Sequence, residues 1–84
     1  MTLRDLKKVW VRDSQVCIMA LAYYKKSKEY YSFATIAMDR SIRSFTEETD
    51  KYTLDLQIKS IDQTANGTLL IDVIQWIDED EESA

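Results

Sequence analysis

Eighty-four residues, 45% of them hydrophobic and 31% charged, suffice for one small domain and leave no room for a second. There is no histidine, one cysteine and one glycine. This composition argues against imidazole general bases and ligands, an internal disulfide or zinc site, and glycine-rich phosphate loops. No catalytic, cofactor or metal site is therefore expected, and no small-molecule substrate. The best apolar run, Val16 to Tyr24, is nine residues, about half of a bilayer span. The N-terminus alternates charge with leucine and lacks a secretory apolar core. The expected setting is soluble, cytoplasmic and reducing.

The net charge of −4 conceals a division. Residues 1–46 hold nine basic and four acidic side chains, a surplus of +5, whereas residues 47–84 hold two lysines and eleven carboxylates, a deficit of −9. Such asymmetry points to a charged partner, to self-association, or to two halves that fold on each other.

Taken in chain order, Thr2-Leu-Arg-Asp5 has the pattern of a capping box and predicts a helix from Leu3. Leu3, Leu6, Trp10, Asp13, Cys17, Ala20 and Tyr24 could continue it as one stripe with a polar fault at Asp13. Alternatively Asp13-Ser14 ends it and Gln15–Tyr24 is a strand, apolar on both faces. Lys25-Lys-Ser-Lys28 is a polar break. Beyond it, Tyr30, Phe33, Ala34, Ala37, Met38, Ser41, Ile42 and Phe45 recur at helical spacing, seven of the eight apolar, and predict a helix from about Lys28 to Phe45. A hairpin pairing Val16–Tyr24 with Tyr30–Met38 is the competing reading.

After the connector Thr46–Asp50, Tyr52, Leu54, Leu56 and Ile58 alternate with polar residues and predict a strand. Asn66-Gly67 supplies a tight turn, and Thr68–Ile77 a second strand with apolar residues on both faces. Asp78–Ala84 reads as a disordered acidic tail beyond a domain at 1–77. The fold expected is α+β, one or two N-terminal helices on a C-terminal antiparallel hairpin. The alternative is an all-β five-strand meander or small barrel.

Two constellations could make contacts. Tyr23, Tyr24, Tyr30 and Tyr31 bracket Lys25, Lys26 and Lys28, and Arg40 and Arg43 extend the positive track. Stacking rings beside phosphate-neutralising lysines would suit single-stranded nucleic acid, whereas the same rings suit a protein interface. Glu47, Glu48 and Asp50 begin a carboxylate field that could meet a basic partner or imitate nucleic-acid phosphates. The reading that absorbs most of these features is a non-catalytic intracellular binding protein acting by protein–protein contact. A small acidic inhibitor or adaptor of a larger enzyme would fit, of the kind a virus, phage or mobile element encodes, with homodimerisation compatible. A single-stranded nucleic-acid binder is the alternative.

Overall fold

A computed structural model describes residues 1–77, apart from the side chain of Phe33. The acidic run expected to form a tail lies outside the described residues. The elements are α1 (Leu3–Val9), β1 (Gln15–Tyr24), β2 (Glu29–Ser41), a 3-10 turn (Ile42–Ser44), α2 (Lys51–Asp55), β3 (Gln57–Gln63) and β4 (Leu69–Ile77). They form one four-stranded sheet in the order β2-β1-β4-β3. The pairs β1–β2 and β3–β4 are antiparallel, and β1–β4 is parallel. The class is α+β, but the helices lie on a mixed sheet and not on a single hairpin.

The capping box forms as its residues predict: Thr2 Oγ1 accepts from the Asp5 amide and the Asp5 carboxylate accepts from the Thr2 amide. The helix then stops at Val9. Trp10 turns to extended backbone while its indole N–H donates to Ser14 Oγ at 3.0 Å. This leaves 15–24 as the strand of the two open readings, paired without a slip to all nine residues of β4.

Two expectations fail. The helix from Lys28 to Phe45 is instead strand β2 followed by a 3-10 turn. Three register shifts against β1 all place the extra residue on β2, so its 13 residues cover ten of β1. Each bulge turns the following side chains to the opposite face, and three resets in succession scramble a two-residue period into apparent helical spacing. The strand expected from Tyr52 begins only at Gln57; residues 51–55 form a helical turn opened by Leu54 N–H donating to Asp50 C=O at 2.9 Å. Alternation misled there because Leu54 is buried against the helical layer while Tyr52 points to solvent.

The core lies on one face of the sheet. Val16, Ile18, Ala20, Leu69, Ile71 and Val73 meet Leu3, Leu6, Ile42, Phe45 and Leu54 from the helices and the connector. Two arginines hold that layer down. Arg4 on α1 grips Glu47 through Nε and Nη2, at 2.5 and 2.7 Å, and reaches Asp55 at the end of α2. Arg40 on β2 holds Asp50 with two bonds of 3.1 and 2.9 Å, and its guanidinium sits 4.0 Å over the Phe45 ring. The β3–β4 turn closes through Gly67, at φ +93°, whose amide donates to Thr64 C=O. No helix among the described residues is long and apolar enough to cross a membrane.

Candidate functional site

Strands alternate their side chains, so the pairs Cys17–Leu70, Met19–Asp72, Leu21–Ile74 and Tyr23–Trp76 all face away from the helices. Among the described residues no helix or loop packs on this second face. Its apolar side chains stand in the open: Leu70 is 41% exposed, Trp76 51% and Met38 69%. A shallow groove of about 270 Å³ runs between β2, β1 and β4, lined by Cys17, Met19, Thr35, Met38, Leu70 and Asp72. The β4 residues Leu70, Ile74 and Trp76, whose face the sequence suggests is buried, divide: Ile74 is covered, and the other two are not.

One end of the sheet differs from the rest. Pairing of β3 to β4 starts at Ile74, and the Tyr52 hydroxyl donates to Gln75 at the limit of the helical cover. Beyond that point β1, β2 and β4 continue as a three-stranded extension. On its open face the Tyr23 ring lies 4.7 Å from Tyr30 and 5.1 Å from Trp76, the second pair edge to face. The Lys59 ammonium sits 4.9 Å from the Tyr30 centroid, a cation–π contact. On the opposite face Tyr24 and Tyr31 meet edge to face at 5.4 Å, and the Tyr31 hydroxyl donates to Glu29. The strands end in the turn Lys25–Lys28, closed by Lys28 N–H to Tyr24 C=O at 2.7 Å with Lys28 at φ 60°. Lys25 N–H also donates to Ile77 C=O at 3.4 Å, which ties the turn to the end of β4.

The structure therefore brings together Tyr23, Tyr24, Lys25, Lys26, Lys28, Tyr30 and Tyr31, and adds Trp76 and Lys59. The other candidates lie elsewhere. Arg40, Glu47 and Asp50 form the clamps of the helical layer, and Arg43 donates to Trp10 C=O at 2.9 Å. Glu48 is exposed on the connector. The guanidinium of Arg40, the Thr46 amide and the Thr49 hydroxyl hold the Asp50 carboxyl down at about 2. The bonds from Arg4 lower Glu47 and Asp55. Asp72 accepts from Ser60 Oγ at 3.0 Å. Of the described carboxylates of this field, Glu47, Asp50, Asp55 and Asp72 are thus bonded within the chain. Among the described residues no group of three or more His, Cys, Asp or Glu could hold a metal ion.

Comparison with protein families, curated proteins and solved structures finds no match for this chain. The geometry of the surface is what a functional reading can rest on.

Proposed function

We propose that the chain is a non-catalytic binding protein that acts by protein–protein contact, engaging its partner with the aromatic, lysine-tipped end of the sheet. An inhibitor or adaptor working inside the cell is the role that suits its size and lone cysteine. The observation that carries this reading is the presence of aromatic side chains on both faces of a three-stranded extension that the helical layer does not cover. Tyr30, Tyr31 and Trp76 are 43%, 52% and 51% exposed there. Tyrosine and tryptophan on a rigid strand lose little conformational entropy on binding and dominate interface energetics.

Single-stranded nucleic acid would use the same residue types, but three details favour a protein. The Tyr23–Trp76 and Tyr24–Tyr31 rings pack edge to face, at 86° and 75°, and do not form a row of free stacking platforms. Lys59 occupies the Tyr30 ring. Glu29 stands beside the lysines of the turn, and the chain as a whole carries a net charge of −4, which repels phosphates.

The test is capture from host lysate with the full chain, with and without nuclease, repeated with Tyr31→Ala, Trp76→Ala and a Lys25/Lys26/Lys28→Ala triple variant. A partner that survives nuclease and is lost about ten-fold or more from the tyrosine and tryptophan variants supports the reading. Capture abolished by nuclease, together with oligonucleotide binding at about 150 mM salt that the lysine changes remove, would replace it with the nucleic-acid reading.

A further inference from the structure

The two edges of the sheet are not alike. On β2 three bulges break the ladder, whereas on β3 the one shift lies at Lys59, and from Ser60 to Gln63 the strand pairs residue for residue with β4. The chain itself pairs the first part of this outer edge: Ile58 N–H donates to Met1 C=O at 2.8 Å, and Thr2 bridges Gln57 in the antiparallel sense. That pairing covers Gln57 and Ile58 alone. We infer that an extended segment of a protein partner takes up the remainder, Ile61 to Gln63, as a fifth strand antiparallel to β3, with two apolar side chains, two residues apart, turned into the groove beside α1.

The ladder assigns the hydrogen-bonding groups. Thr64 N–H donates inward, to Thr68 C=O at 2.9 Å. Successive residues of an antiparallel pair alternate between bonding their neighbour and facing away from it, so Asp62 bonds towards β4 while Ile61 and Gln63 face outward. The Gln63 amide shows the consequence, since it donates at 2.8 Å to the carboxylate of the adjacent Asp62, a substitute for the carbonyl of an adjoining strand. Outward donors and acceptors repeating at two-residue intervals are matched by extended backbone, which is the recognition mode of strand addition.

The side chains select the same occupant. Ile61 pairs with Ile71 and Gln63 with Leu69, both core residues, so the two face the helical side. There α1 runs alongside β3, from the Thr2 bridge at Gln57 to a groove of about 330 Å³ lined by Val9, Trp10, Val11, Arg12 and Gln63. Val9, Val11 and Ile61 are 65%, 87% and 41% exposed, aliphatic surface that the core of this chain leaves out. Residues directly opposite across antiparallel strands share a face, so incoming side chains opposite Ile61 and Gln63 meet this surface.

The customary guards of an edge are charged side chains, lysine above all. Here Lys59 is drawn across the open face to the Tyr30 ring, and Asp62 is turned back onto the Gln63 amide.

An NMR titration of the full chain with a capped heptapeptide of alternating threonine and valine tests the inference, beside the same peptide with its valine nitrogens methylated. The expected result is a shift of the Ile61 and Gln63 amides with Kd of about 0.1–1 mM, slowed hydrogen exchange at Ile61, and binding about ten-fold or more weaker for the methylated peptide, which keeps the side chains and loses the main-chain donors. Ile61→Pro, which removes an outward donor at a position where an edge strand tolerates proline, weakens binding about as much. Val11→Asp, at an exposed position outside the sheet, does the same with an unchanged far-UV spectrum, and so reads the groove even where the proline variant does not fold.

No shift of these amides at about 1 mM peptide would overturn the inference. Equal binding of the methylated peptide would also overturn it, because the contact would then be made by side chains alone. Shifts of the same amides with protein concentration and no peptide, accompanied by a dimer in sedimentation, would make a second copy the occupant and replace the partner segment. The aromatic end lies at the other end of the sheet, and its role is read separately, from partner capture by the Tyr31→Ala and Trp76→Ala variants.

Discussion

The central strands β1 and β4 carry apolar side chains on both faces, yet the two faces differ in fate. Val16, Ile18, Leu69, Ile71 and Val73 are sealed under α1, α2 and the connector, whereas Leu70, between Leu69 and Ile71, and Trp76, three residues beyond Val73, stand in solvent. Hydrophobicity in a strand therefore specifies that a face wants cover without specifying where the cover comes from. In this chain the connectors supply it once, because the chain crosses from β2 to β3 over one face only.

The largest test of that difference is truncation. Phe45, fully buried beneath the Arg40 guanidinium, should cost about 3–5 kcal/mol when changed to alanine, and Ile71→Ala about 2–5 kcal/mol. Leu70→Ala, on the open face, should cost under about 1 kcal/mol in the monomer. Denaturant midpoints at low protein concentration decide. Equal losses at Ile71 and Leu70 would mean that both faces are covered within one chain.

Acid should erase the difference by loosening the covering layer. Asp50 titrates at about 2 in the folded chain against 3.8 ordinarily, and Asp5, Glu47 and Asp55 are lowered as well. The unfolded chain therefore takes up protons first as pH falls. The stability contributed by the Asp50–Arg40 clamp is complete above about pH 4 and is lost as pH falls through about 2. Thermal scans should show Tm declining over that window. Asp50→Asn, with a lower Tm at neutral pH, should decline less steeply.

A smaller effect than at Phe45 or Ile71 is expected at the β3–β4 turn. A Cβ on Gly67 would meet only the Gln63 amide nitrogen at 4.0 Å, so space is open, but its φ of +93° suits no L side chain. Gly67→Ala should cost about 1 kcal/mol through the backbone alone, read as a small shift in the urea midpoint with neither face disturbed.

What the sequence reveals of this architecture follows the range of each interaction. The Thr2–Asp5 capping box and the Asn66-Gly67 turn depend on neighbours within a few residues and are legible. The strand at 15–24 is legible only as one of two readings, because a central strand bordered on both sides loses its alternation. Its parallel partner lies some fifty residues away, and nothing local announces that pairing. The misreading of β2 has a different source: bulges are set by what the strand must bend around, which the strand itself does not encode.

The candidate site divides in the same way. Tyr23 to Tyr31 flank a single turn and stay together, while Arg40, Glu47 and Asp50 prove to be fasteners of the helical layer. Trp76 enters the aromatic group only through the long-range pairing of Tyr23 with β4.

The three bulges of β2 also bear on how the molecule behaves in a crowded solution. A 13-residue outer strand without proline would ordinarily be a template on which further chains could add and grow into fibres. A strand that needs 13 residues to accompany ten cannot offer a straight ladder of amides to a newcomer: after each bulge the next donor is out of step and the ribbon has twisted away. The irregularity that hides β2 from sequence reading also makes the outer edge of the sheet a poor seed for polymerisation.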